Sequence, residues 1–146
     1  WNTSNVKCMN YMFDGCKNFN QNLNNWNVSN VITMDGMFSR CNSFNQPLNN
    51  WNVSNVKNMI GMFSCCYVFN KPLNNWDISN VKNMIGMFYK CRNFNQDLSN
   101  WIHYNEHNKI AMFAANSLSD CDDEYLYAIK NGEWNWEPNL NDVADY

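Results

Sequence analysis

The chain has 146 residues, a formal net charge of -3 at pH 7 and 45% hydrophobic residues. A domain of this length buries enough apolar surface to fold without a metal or disulfide staple, and its near balance of charge gives no reason to expect nucleic acid or an anionic membrane as partner. No window approaches the roughly 18 apolar residues of a membrane-spanning helix, and the first residues are not typical of a signal sequence.

A repeat of 25 residues dominates the chain from its first residue. Trp, a Met-Phe pair and columns of Val, Met, Cys, Phe and Leu all recur at this interval. The Trp column is Trp1, Trp26, Trp51, Trp76 and Trp101, and the Cys column is Cys16, Cys41, Cys66 and Cys91. Such self-similarity predicts stacked units, each of which buries its apolar face against its neighbours. Because the first copy starts at Trp1 without an initiator Met, we expect a fragment or a processed piece.

The residue pattern of each copy predicts a strand, a turn and a short helix, in that order. In the second copy, apolar and polar residues alternate up to Val28, as in a half-buried strand. Ser29-Asn30 then favours a turn or a helix cap. Apolar residues follow at i, i+3, i+4 and i+7, which predicts one face of a short helix: Met34, Met37, Phe38 and Cys41. The predicted fold class is therefore α/β, a solenoid of strand–turn–short-helix repeats.

The solenoid is predicted to span residues 1–119 and to end in a cap at residues 120–146. A helix is predicted to begin at acidic residues 122–124, since negative side chains are favourable at a helix N-terminus. It is predicted to end before Gly132, because Gly commonly follows the last residue of a helix. Trp134 and Trp136 are expected to fold back on the last copy. The four regular copies and the degenerate fifth are 1–25, 26–50, 51–75, 76–100 and 101–119.

Asn makes up 32 of the 146 residues and recurs in register with the repeat. Equivalent residues of stacked copies lie about 4.8 Å apart, so these columns predict ladders of side-chain amides that bond from copy to copy. The columns are Asn5, Asn30, Asn55, Asn80; Asn20, Asn45, Asn70, Asn95; and Asn25, Asn50, Asn75, Asn100.

The pattern L-x-x-W-x-V-S-x-V-x-x-M-x-x-M-F-x-x-C resembles the BspA-like leucine-rich-repeat surface protein family, in its Mycoplasma-type branch called domain of unknown function 285. The resemblance covers residues 1–100 closely and residues 101–119 weakly. It implies a right-handed leucine-rich-repeat-like solenoid in bacterial surface lipoproteins and adhesins, in large DNA viruses and in protists. The implied location is a cell surface or a virion, while unpaired cysteines are also compatible with intracellular assembly. The family has no assigned active site, so no catalytic residue carries over.

Two sets of residues have the types that metal or thiol chemistry needs. The segment from His103 through Glu106 to His107 fits the H-x-x-E-H spacing of zinc peptidases, and it would need a third ligand such as Glu124 or Glu133. A polar terminal segment matches so short a pattern easily, so a zinc hydrolase is a remote alternative. The Cys column is expected to consist of reduced core residues, since free Cys behaves as a small buried hydrophobe.

Three sequons of the form N-x-S begin at Asn2, Asn27 and Asn52. They have the form of glycosylation acceptors. Because they recur with the repeat in an Asn-rich chain, we attribute them to the repeat pattern.

Positions that vary between copies predict the exposed, partner-binding surface. In the third and fourth copies these positions become aromatic, apolar or basic: Tyr67, Val68, Tyr89, Lys90 and Arg92. Aromatic groups beside Arg are enriched at interface hot spots.

The predicted function is that of a non-catalytic module for protein–protein contact or structural assembly. It would belong to an adhesin-like surface protein or to a component of a larger particle such as a virion, and we expect no catalytic residue, cofactor or metal. A broad repeat surface has few deep pockets, which suits wide contacts better than catalysis. The alternative is a carbohydrate-binding module that uses the Asn ladders together with Trp134 and Trp136.

Overall fold

The computed structural model of the chain describes residues 1–101 and 112–113. Within these ranges helical conformation is confined to residues 112–113, and strand pairing is confined to isolated parallel bridges. The bridges join Cys8 to Thr33, Thr33 to Asn58, and Asn58 to Asn83. The predicted α/β class, a right-handed leucine-rich-repeat-like solenoid of strand–turn–short-helix repeats, is therefore wrong for the described residues. The predicted helical cap at residues 120–146 and most of the fifth copy lie outside them.

Turns take the place of the predicted helix. In the second copy residues 35–40 form turns. The N–H of Met37 donates to the carbonyl of Met34 at 3.2 Å, and the N–H of Ser39 donates to the carbonyl of Gly36 at 3.0 Å. These bonds span three residues, as in a β-turn, whereas an α-helix bonds each amide to the carbonyl four residues before it.

Alternate amides of the same segment bond to the next copy. The N–H of Gly36 donates to the carbonyl of Ile60 at 2.7 Å, and the N–H of Phe38 donates to the carbonyl of Met62 at 2.9 Å. The third copy repeats the second of these bonds from Phe63 to Met87, also at 2.9 Å. Main-chain hydrogen bonds thus hold the described copies in a stack whose rise is set by parallel strand spacing, roughly 4.8 Å.

A left-handed backbone at two positions of each copy explains why no helix forms there. The first position is occupied by Tyr11, Gly36, Gly61 and Gly86, with φ between 57° and 61°. The second is occupied by Gly15, Arg40, Cys65 and Lys90, with φ between 53° and 74°. A right-handed helix needs φ of roughly -60° at every residue, so these positions end any helical path. Glycine suits the first position because it has no Cβ to clash at positive φ.

Stacked aromatic rings fill the core of the described residues. The rings of Phe38 and Phe63, in neighbouring copies, lie 5.6 Å apart and within 6° of parallel. Phe69 stacks on Phe63 within the same copy at 4.3 Å. The apolar columns of the second and third copies pack around these rings, and all their members are buried except the partly buried Trp26, which confirms that the sequence columns identify the core.

Candidate partner-binding surface

The Asn columns connect copies through main-chain groups. In one column the Nδ2 of Asn30 donates to the carbonyl of Ser4 at 2.7 Å, and two later copies repeat the bond. In another column the Oδ1 of Asn20 accepts the N–H of Asn45 at 2.9 Å. The predicted side-chain-to-side-chain ladders are thus largely replaced by side-chain-to-backbone bonds. In each of these bonds one end of the side-chain amide is engaged in holding the copies together.

The three N-x-S sequons have a structural role as turns. The Oδ1 of Asn27 accepts both the N–H of Ser29 at 3.1 Å and its Oγ at 2.7 Å. The sequons at Asn2 and Asn52 make the same pair of bonds. Side-chain acceptance from the backbone two residues on is an Asx-turn, one of the standard uses of Asn at a chain reversal.

The thiols of three members of the Cys column are buried and donate hydrogen bonds to backbone carbonyls of the core. The Sγ of Cys66 donates to the carbonyl of Phe38 at 2.8 Å, and Cys41 and Cys91 donate to the equivalent Phe carbonyls. Burial raises the pKa of the Cys41 thiol to about 12 and that of Cys66 well above its usual value. Since the thiolate is the reactive form, these three are structural, as predicted.

Other cysteines depart from the prediction. Cys16, the first member of the column, is exposed, as is Cys8, and both are free. Cys65, which lies outside this column, is buried and disulfide-bonded.

The zinc hypothesis falls on residues that the structure does not describe. His103, Glu106 and His107 lie outside the described ranges, as do Glu124 and Glu133. The same holds for Trp134 and Trp136 of the carbohydrate hypothesis. Across residues 1–101 and 112–113, no three His, Cys, Asp or Glu side chains are grouped so that they could hold a metal ion. Nor does any helix in these ranges have the length and apolar character needed to cross a membrane.

The outer part of the predicted partner surface is formed by Tyr67, Val68 and Arg92. Val68 is 37% exposed, Arg92 is exposed and Tyr67 is half-buried. The guanidinium of Arg92 lies over the Tyr67 ring, 4.9 Å from its centroid. The N–H of Asn93 donates to the Tyr67 carbonyl at 3.2 Å. The stacking of the third and fourth copies therefore fixes the cation against the ring.

The inner part of the predicted surface is formed by Tyr89 and Lys90. The Nζ of Lys90 lies 5.3 Å from the centroid of the Tyr89 ring. Only 8% of Tyr89 is exposed, because its repeat position points inward, as do Ser39 and Ser64 of the same column. Variation between copies therefore did not identify exposure at this position.

A column of basic side chains was missed at the sequence level. Lys7, Lys57 and Lys82 occupy one repeat position and are all exposed, with Ile32 in the remaining copy. The net charge of the whole chain concealed them. Residues 1–101 hold eight Lys and Arg against four Asp, whereas residues 102–146 hold two Lys against nine Asp and Glu. Counting charge for each segment separately would have found the basic column.

A comparison with protein families matches the chain to the family described as "Mycoplasma protein of unknown function, DUF285". It matches residues 1–101 and 31–123, so that together the two matches span most of the chain. No curated protein and no solved structure matches the chain.

Proposed function

Because this chain belongs to the DUF285 family, and because its described polar groups serve largely to join its copies, we propose that it is a non-catalytic module for protein–protein contact or structural assembly. The finer assignment, a BspA-like adhesin of a cell surface or a structural component of a particle such as a virion, is part of this proposal. So is the expectation that the chain has no enzymatic activity.

The arrangement of Arg92, Tyr67 and Val68 carries the proposal. Arg92 is held over the Tyr67 ring at 4.9 Å, and the exposed Val68 lies beside this ring in the chain. A pre-positioned cation on an aromatic ring loses less side-chain freedom on binding than a mobile Arg does. Arg and Tyr are also the residue types that dominate interface energetics.

Capture of partners from the native source tests the proposal, using immobilised chain and a double variant, Val68→Asp with Arg92→Asp. The matched control is Lys17→Asp with Asn18→Asp, which places the same change of charge at the equivalent positions of the first copy. We expect the unmodified chain and the control to capture the same protein, and the Val68/Arg92 variant to lose it.

Two results would contradict the proposal in different ways. If both variants capture the protein equally, the contact function would stand, but the surface of Val68 and Arg92 would not be the binding site. Failure of the unmodified chain to enrich any protein over the bare support would count against the contact function itself.

A further inference from the structure

The lysine column lies on a regular and rigid row of the stack. The N–H of Lys82 donates to the carbonyl of Lys57 at 2.7 Å, the N–H of Lys57 donates to that of Ile32 at 2.8 Å, and the N–H of Ile32 donates to that of Lys7 at 2.8 Å. Each backbone position is thus bonded directly to the next. The row therefore repeats at the strand spacing of roughly 4.8 Å, and its four positions span about 14 Å.

No acidic side chain neutralises this row in the part of the chain that the structure describes. An ion pair found there joins Arg40 to Asp14, at other positions of the repeat. Lys57 and Lys82 occupy adjacent positions, whose backbones lie about 5 Å apart, and Lys7 lies two positions from Lys57; like charges at such spacings repel one another even in water. Three lysines in register therefore form a site that an anion would relieve, and an extended anion with regularly spaced charges would relieve it best.

The surroundings of the row indicate the class of partner. Asn30, Asn55 and Asn80 are exposed on the same chain segments, two positions before the row, and are held in place by bonds to Ser carbonyls. The large exposed hydrophobic side chains of the described residues are Trp1, Met12, Ile32 and Val68. None of these is an aromatic ring in the row itself. The bases of a single-stranded nucleic acid would therefore find no stacking platform there.

We propose that Lys7, Lys57 and Lys82 bind a linear anionic polysaccharide that runs along the stack. An extended anionic sugar chain carries carboxylate or sulfate groups at regular intervals along its length, so these groups can follow the lysine row. The ammonium groups supply the charge, while the neighbouring amides supply hydrogen bonds to hydroxyls. This site is separate from the surface of Val68 and Arg92 and does not depend on the proposed protein contact.

Binding of the full chain to immobilised heparin and to immobilised polygalacturonate tests this inference, with neutral dextran, duplex DNA and poly-glutamate as comparison probes. The test variant is Lys7→Gln, Lys57→Gln and Lys82→Gln combined. Its control is Lys17→Gln, Lys71→Gln and Lys109→Gln combined, which removes the same charge from positions outside the column. A third variant, Ile32→Lys, completes the row.

We expect the triple column variant to bind at least one anionic glycan about tenfold more weakly and with a shallower dependence on salt, since fewer counterions are released. The control should stay within about threefold of the unmodified chain, and Ile32→Lys should bind about threefold more tightly. Circular dichroism establishes that each variant is folded, and Ile32→Lys gives an independent test through gained binding.

The inference is overturned if the column variant and its control lose binding equally, or if neither anionic glycan binds more tightly than dextran. Tighter binding to duplex DNA or to poly-glutamate than to both glycans would also overturn it, because the partner would then be a different class of polyanion.

Discussion

The first and third copies of the repeat carry the same apolar columns but differ in burial. Met62 and Phe63 of the third copy are fully buried, whereas Met12 of the first copy is 40% exposed and Phe13 is half-buried. The third copy has a neighbour on each side, and the described structure places a neighbour on only one side of the first. An apolar residue in this architecture is therefore fully buried only where its copy has a neighbouring copy on each side. The residue type alone does not determine its burial.

Truncation of equivalent Phe residues gives the largest expected contrast. Phe63 stacks on rings in both neighbouring copies at 5.6 Å and 5.8 Å, so Phe63→Ala should lower the free energy of unfolding by about 3–5 kcal/mol. Phe13→Ala should cost about half as much, because the ring starts half-buried. Urea unfolding followed by circular dichroism measures both. Equal losses would show that the two positions are equally packed in solution and would refute the comparison.

Adding a Cβ in the glycine column should have the next largest effect. Gly36 has φ of 58°, and a Cβ there would overlap the ring of Tyr11 in the first copy. Gly36→Ala should therefore cost about 2–3 kcal/mol from backbone strain and overpacking together. In a Tyr11→Gly background the cost should fall by about 1 kcal/mol, because only the strain remains. A cost that does not change in that background would mean that the two copies do not touch at this point.

The buried thiols predict a loss of stability at alkaline pH. Desolvation raises the pKa of Cys41 from 9.0 to about 12. Above about pH 9 the unfolded chain can ionise this thiol while the folded chain cannot, so the stability that it contributes falls as pH rises towards 12. Between about pH 8 and about pH 10 this thiol should account for about 1 kcal/mol of loss.

The Cys41→Ala variant should remove that part of the alkaline loss, which urea unfolding at the two pH values measures. The control variant Cys8→Ala, which changes an exposed free cysteine outside the column, should leave the loss as it is in the unmodified chain. A Cys41→Ala variant with an unchanged pH dependence would disprove the assignment of Cys41 to the core.

Two Trp residues of one column allow a smaller and more specific comparison. The indole Nε1 of Trp51 donates to the carbonyl of Leu23 at 2.9 Å, whereas that of Trp101 is buried without an acceptor. Trp51→Phe should therefore be more destabilising than Trp101→Phe by about 1 kcal/mol, the net value of one hydrogen bond. Thermal unfolding of the two variants decides this. A larger loss from Trp101→Phe would show that its indole has a partner in solution.

The sequence identified the core but not the backbone path. Apolar residues spaced at i, i+3, i+4 and i+7 indicate which side chains face inward. Successive turns can place these side chains on one face as well as a helix can. The missed signal was Gly36, which interrupts that spacing in the second copy and recurs as Gly61 and Gly86. Glycine in a helix interior costs about 1 kcal/mol relative to Ala, so its recurrence there should have favoured turns.

The candidate surface was predictable only where a varying position also points outward. Arg92 and Val68 meet both conditions, whereas Tyr89 varies but points inward. The direction of a side chain depends on turn geometry, which the sequence pattern does not determine. The lysine column needed no structure, because Lys57 and Lys82 are 25 residues apart and the repeat period alone aligns them.

The central claim is that the copies are joined by main-chain hydrogen bonds where helices were expected, and scalar coupling across hydrogen bonds measures this directly. In isotope-labelled protein, we predict coupling between the amide nitrogen of Phe38 and the carbonyl carbon of Met62, which this structure places in one 2.9 Å hydrogen bond. Coupling from Phe38 to the carbonyl of Met34, four residues earlier as in an α-helix, would contradict it.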